Sequence, residues 1–338
     1  MNKIVHAVLT AIVSSSLIVS LGSMSFSQKT KHAAVKQQGT PVMWSDPKDI
    51  QHRNLFYGIG GKENAPDPEI TYKFVRRISA GTQPKTIVED DKGRQWILKT
   101  GPESRPETTA TRIVWAAGYY VDQDYFLKTV RITGAKNSIE QDVRFERLDS
   151  GETDQGNWAW SSNPFVGTRD LDGLKVLVAL LRNVDVKEEN NQIRSVTQAD
   201  GSVKNVYYIS DLGATFGKRG TFLNKVFFLK DVPADRGNHK AAKADPDKFE
   251  KGDLIKQVEG DKVVFSTKRS SVKDVLRGVS VENARWMGNI LSRISRAQFY
   301  DAFRAGGFND QETEIFVSTL QQRIQELQNL SSSSYAKK

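Results

Sequence analysis

A chain of 338 residues with 38% hydrophobic side chains can close one large domain or two lobes around a packed core, and no internal repeat marks a solenoid or propeller. It has no cysteine, and its four histidines (His6, His32, His52, His239) lack ligand spacing, so disulfides, thiolate nucleophiles and Cys- or His-based metal centres are excluded. The net charge of +9 is spread over interleaved acids and bases, which describes a solvated surface with a weak preference for anions, and no nucleic-acid partner is expected.

Lys3 precedes a mostly apolar stretch over residues 4–22, and Ser25-Phe26-Ser27 places small residues for cleavage after Ser27. Residues 1–27 are therefore expected to be a signal peptide, which makes the protein exported, periplasmic or secreted. An uncleaved membrane anchor is the alternative, because the stretch approaches the roughly 20 residues that span a bilayer. Residues 28–70 are polar and read as a linker that becomes an ordered arm around 55–61. Gly58-Ile59-Gly60-Gly61 lacks a flanking strand and helix and reads as a plain turn.

Alternation predicts strands over 72–78, 85–89 and 95–100, the last two joined by a tight hairpin at Asp91-Lys92-Gly93. Pro106 suits the first turn of a helix carrying Ile113, Val114, Ala117 and Val121, and strands follow near 125–132 and 143–148. Residues 71–150 thus describe a small antiparallel β-rich lobe. From Gly151 the pattern changes. Residues 171–181 are apolar on most sides, as in a buried helix, and strands at 192–196 and 206–210 bracket a turn at Ala199-Asp200-Gly201. Residues 234–261 are charged and read as a mobile insertion. Helices are predicted over 281–294 and 297–305 and from the capping pair Asn309 and Glu312, with a frayed tail after 330. The fold class is α+β and bilobal, with a mainly helical second lobe over 151–330.

The chemistry-bearing motifs fall at element ends. Trp96-Ile97-Leu98-Lys99 closes the third strand. Asp185, Lys187 and Asn190 form D-x-K-x-x-N directly after the buried helix, and Asp211-Leu212-Gly213 follows the hairpin. Each alone reads as an ordinary strand end or solvated loop. Together and in this order, over roughly 72–330, they resemble the protein kinase-like superfamily. The resemblance is to its divergent branch of HipA-type, lipid-kinase-like and secretory-pathway kinases, and also to a group of uncharacterised exported bacterial proteins of this fold.

That resemblance implies ATP and Mg²⁺ as cofactors and a role for each residue. Lys99 would contact the α- and β-phosphates. Glu107 would hold it extended, although eight residues (99 to 107) is a shorter separation than the kinase pattern, and Glu103 competes. Asp185 would take the proton of the attacking hydroxyl and Lys187 would neutralise the transferred group. Asn190, or Asn191 by one register, and Asp211 would hold the metal, since amide and carboxylate oxygens suit a hard cation. Gly81, in Ser79-Ala80-Gly81-Thr82, stands where a glycine-rich loop would cover phosphates, with a simple hairpin turn as the alternative. Asn183-Val184-Asp185 replaces H-R-D, so the arginine that reads a phosphorylated activation loop is missing, and no A-P-E follows Asp211. Trp158, Trp160 and Phe165 are expected in core packing or over the lobe junction, with a cleft rim as the alternative.

The function expected is an exported phosphotransferase acting on a protein, sugar or lipid head group. A pseudokinase scaffold and a nucleotidyltransferase are the alternatives.

Overall fold

The computed structural model describes residues 39–78, 85–148, 152–217 and 244–331. Residues 1–27, expected to be a signal peptide, Gly81 and the tail after residue 331 lie outside the described residues. Among the described residues no helix is long and apolar enough to cross a membrane.

The first lobe is a closed five-stranded barrel. Its strands are β2 (Thr71–Ile78), β3 (Lys85–Glu89), β4 (Gln95–Thr100), β5 (Asp124–Thr133) and β6 (Ile139–Arg147), in the order β2-β3-β4-β6-β5. Alternation along each strand turns Val88, Trp96, Leu98, Val143 and Phe145 inward with Tyr72 and Tyr125, all of them buried. The rings of Trp96, Phe145 and Tyr125 meet edge to face. The lobe departs from the all-antiparallel reading at one seam, where β2 and β5 pair in parallel through Thr71↔Arg131. That pairing closes the barrel and removes two exposed sheet edges.

Helix α1 (Ser104–Ala116) follows β4, and the Ser104 hydroxyl donates to the Lys99 carbonyl at 2.9 Å, fixing its start to the strand end. On its inner side lies a buried ion cluster. Asp124 takes the Arg112 guanidinium and the Thr111 hydroxyl, both at 2.8 Å, and Arg144 lies 3.7 Å from its other oxygen.

The second lobe is built on α2 (Arg169–Leu180), which the Thr168 side chain caps and which is buried along Leu171, Leu174, Leu177 and Leu180. Strands β7 (Thr153–Asn157), β8 (Asn191–Thr197) and β9 (Val203–Ile209) form a sheet in the order β1-β9-β8-β7. Its outer strand β1 (Thr40–Val42) pairs in parallel with β9. The arm is thus ordered from Gly39, earlier than its polar composition suggests, because Met43, Ile50 and Leu55 are fully buried.

Residues 245–261, expected to be mobile, are also ordered. Asp245 caps α3 (Pro246–Glu250), and a hairpin of β10 (Ile255–Glu259) and β11 (Lys262–Phe265) follows. Phe249, Leu254 and Ile255 bury into the core and hold the segment down. The remaining helices are α4 (Ser270–Leu276), α5 (Val281–Leu291), α6 (Arg296–Ala305) and α7 (Asp310–Gln328). Capping boxes open α6 at Ser295 with Gln298, and α7 at Asn309 with Glu312 as the sequence predicts.

Removing Asp124 would leave the buried Arg112 guanidinium without its carboxylate, while Arg144 keeps Glu107 and Glu146. Asp124→Ala should lower unfolding stability by about 3–5 kcal/mol in denaturant titration, and Asp124→Asn, which keeps an acceptor for Thr111, should lose less.

Candidate active site

Lys99 is the penultimate residue of β4 and stands on the outer face of the barrel, since its neighbours Leu98 and Trp96 point inward. It is 4% exposed. Its ammonium meets three carboxylates: Glu107 at 3.0 Å, Glu103 at 3.1 Å and Asp211 at 3.1 Å. The two glutamates proposed as competing partners therefore both pair with it. Glu107, one turn into α1, also receives Arg144 at 3.3 Å from β6.

Burial alone would pull the Lys99 ammonium down. Glu107, followed by Asp211, more than offsets this and holds the group above its ordinary 10.5. Burial pushes Asp211 up, and the Lys99 charge wins, holding the carboxyl below 3.8.

Asp211 sits at φ 50° and ψ 58°, a left-handed conformation that costs a side-chain-bearing residue about 1–2 kcal/mol. The bond to Lys99 accompanies this strain across the junction between the lobes. Gly213, two residues on, must lack a side chain, because a Cβ there would lie 2.7 Å from that of Glu103. The carboxylate of Asp211 is 39% exposed even with one oxygen on Lys99.

The loop after α2 is fastened at several points. Asn183 accepts from the Asp185 amide at 3.0 Å, an Asx turn that sets the approach to Asp185. Val184 donates to the Ala214 carbonyl at 3.1 Å, tying this loop to the segment after Asp211. The Asn190 side-chain amide donates to the Asp185 carbonyl at 3.2 Å, which commits its nitrogen and leaves its oxygen as an acceptor. The Asn190 carbonyl accepts from Ser210, the residue before Asp211, at 2.8 Å. Asp185 and Lys187 pair at 3.2 Å and remain open to solvent. A continuous series of bonds thus runs from Asp185 through Asn190 and Ser210 to Asp211, Lys99 and Glu107.

Asn191 drops out of the candidate set. It is 1% exposed and donates to the Trp158 carbonyl at 3.1 Å, a packing role in β8. Trp158 and Trp160 are buried, as the core reading expects, and they also brace the site. Trp160 donates to the Val186 carbonyl at 3.0 Å and Trp158 to Tyr208 at 2.9 Å. Gly58–Gly60 forms one 3-10 turn packed against Arg112 and Tyr125, consistent with a structural turn.

Arg144, Asn183 and Trp160 are the positioning residues that sequence reasoning did not assign to the site. Among the described residues no group of three or more His, Asp or Glu side chains could hold a metal on protein ligands alone. Asp211 and the Asn190 amide oxygen offer two oxygen donors, which fits Mg²⁺, an ion that keeps water and substrate phosphates as its other ligands.

A lysine on the third barrel strand is thus bonded to a glutamate of the next helix and to the aspartate after a hairpin in the other lobe, the arrangement that the resemblance to the protein kinase-like superfamily implies. The fold is α+β, a β-rich lobe followed by a mainly helical one, and it resembles a divergent protein kinase.

No protein-family model and no curated protein matches the chain. Among solved structures it is similar to the proinflammatory kinase CtkA of Helicobacter pylori, at 11% identity over 76% of this chain and 92% of that one, with a TM-score of 0.39. It is also similar to Rio2 kinase of Chaetomium thermophilum, in a complex with ADP, Mg²⁺ and phosphoaspartate (17% identity, 76% and 72% of the two chains, TM-score 0.31). A third is the Golgi casein kinase with Mn and ADP bound (10% identity, 86% and 78%, TM-score 0.33). These likenesses are low, and the reading of the site rests on the bonds within this chain.

The two shifts set a pH window. Asp211, held low, contributes stability that is complete above its unfolded value of 3.8 and is lost as pH falls below it. Lys99, held high, contributes below 10.5 and loses its contribution as pH rises beyond. The stability difference between wild type and Asp211→Asn should therefore be flat between about pH 5 and 9 and shrink toward acid, read by thermal unfolding at each pH. A difference that changes steadily through neutrality would contradict the ion pair.

Proposed function

We propose that the protein is an exported, Mg²⁺-dependent phosphotransferase that uses a nucleoside triphosphate, with a hydroxyl of a protein, sugar or lipid head group as acceptor. The observation that carries this reading is the bond between Lys99 and Asp211, which joins the lobes at the point where Asp185 and Asn190 are also tied.

Each residue has a task in that chemistry. Lys99, held by Glu107 and Glu103, presents a fixed ammonium to the phosphates. Asp211 and the Asn190 amide oxygen would hold Mg²⁺, which when bound offsets phosphate charge and orients the triphosphate. Asp185 accepts the proton as the acceptor oxygen forms its bond to the terminal phosphorus and the bridging P–O bond to the nucleoside diphosphate breaks. Lys187, 61% exposed beside Asp185, is placed to follow the transferred group's charge. The Asx bond from Asn183 and the indole of Trp160 keep the Asp185 loop in one shape.

A thermal-shift titration with ATP and Mg²⁺ tests the binding half. At 100 times its dissociation constant a nucleotide should stabilise the wild type by about 2.7 kcal/mol, with no shift in Asp211→Ala or without metal. For the chemistry, Asp185→Asn should retain that shift while turnover or self-modification falls by about 10²–10⁴-fold. Intact mass then separates a phosphoryl from a nucleotidyl adduct. A wild type indifferent to every nucleotide would remove the proposal.

A further inference from the structure

Lys99 is fully engaged by three carboxylates, so it brings little net positive charge to a polyphosphate. A second cation stands beside it. Lys85, the first residue of β3, is the direct antiparallel partner of Lys99 on β4, and Thr86 opposite Leu98 follows. Direct partners in a ladder point to the same face, with Cβ atoms about 4.5–5.5 Å apart. Lys85 and Lys99 therefore share the outer face that carries Asp211, and Ile87 opposite Ile97 continues it. The field of Lys85 reaches the Asp211 carboxylate and helps hold it ionised.

Like charges placed directly opposite one another destabilise a sheet. Lys99 escapes this through its acids. Lys85, half-buried, makes no ion-pair contact among the described residues and feels Asp211 and Glu146 only through their fields. A fold that sets a half-buried ammonium directly opposite another, with no carboxylate in ion-pair contact with it among the described residues, breaks a local rule, and such breaks are expected at functional sites. The sequence just before Lys85, residues 79–84, contains one glycine, so a lysine at this strand start would supply positive charge that a glycine-rich loop supplies through backbone amides.

We infer that Lys85 is a second phosphate-binding cation of this cleft, paired across the ladder with Lys99, and that it makes affinity depend on the number of phosphates the ligand carries. The inference rests on the nucleotide reading above, and inorganic tripolyphosphate separates the two.

Wild type, Lys85→Met and Lys85→Arg would be titrated calorimetrically with Mg·ATP, AMP and Mg·tripolyphosphate. Lys85→Met should weaken Mg·ATP and Mg·tripolyphosphate about ten-fold or more, as for loss of one charge-assisted bond, leave AMP within about two-fold, and be restored by Lys85→Arg. The ligand-free Lys85→Met protein should still melt in one cooperative transition near that of wild type, since Lys85 makes no ion-pair contact among the described residues. Equal affinity of wild type and Lys85→Met for the polyphosphates would overturn the inference while leaving nucleotide binding intact. Tripolyphosphate binding that depends on Lys85, in a wild type that ignores ATP, would uphold the anion site and remove the nucleotide reading.

Discussion

One buried ammonium organises this molecule. Lys99 lies where the barrel, helix α1 and the hairpin of the second lobe meet, and it takes a carboxylate from the start of α1, another one turn further on and a third from Asp211, two residues past β9. An isolated buried lysine is expensive, and so are two or three buried carboxylates without a cation. Each partner is tolerable only while the others are in place. The position of α1 against the barrel and the closeness of the lobes are therefore set together by one electrostatic condition.

Helix α1 is gripped from its far side as well. Arg105 reaches the Gly307 carbonyl at 3.1 Å and Glu312 at 2.7 Å, at the entrance to α7. Gly306 packs so tightly on Thr109 and Arg105 that a Cβ would collide at 2.3–2.6 Å. The arm joins in: Trp44 donates to the Ala117 carbonyl at 2.8 Å, Arg53 to Trp115, and Gln298 of α6 ties down Ile50 and Arg53 at 2.8 and 2.9 Å. A helix held at its entrance, waist and exit has little room to swing away from Lys99.

What the sequence reveals follows the range of the interactions involved. Lys99, Asp185, Asn190 and Asp211 were legible because each sits at the end of a locally patterned element, and element order along the chain preserves their order in the site. The partner of Lys99 stayed open between Glu103 and Glu107 because one is just before the helix and the other one turn inside it, and both reach the ammonium. Arg144 could not be read. Alternation says that it points away from the barrel interior, as a surface arginine would, and only the packing of α1 over that face turns an exposed position into a buried one. The parallel seam between β2 and β5 is nonlocal in the same sense. The ordered arm and residues 245–261 were hidden by charged composition, with their burial entrusted to isolated residues such as Met43, Leu55 and Phe249.

The polar junction is also a poor way to gain stability. A well-packed apolar cluster in the place of Lys99, Glu107 and Arg144 would be as stable or more so, since buried ion groups often only break even against hydrophobic substitutes of similar volume. Asp211 adds backbone strain to that cost. The large aromatic cluster just beyond it, where Phe216 packs edge-on or tilted against Phe249, Phe303 and Phe316, shows that this region can pack without charge. Phe216 is itself held at a positive φ of 56° and anchored through its amide to the Leu181 carbonyl at 2.9 Å. Stability and geometry are thus divided between neighbours. The phenylalanines secure the chain on one side of Gly213, and the strained, charged Asp211 on the other side is held by Lys99.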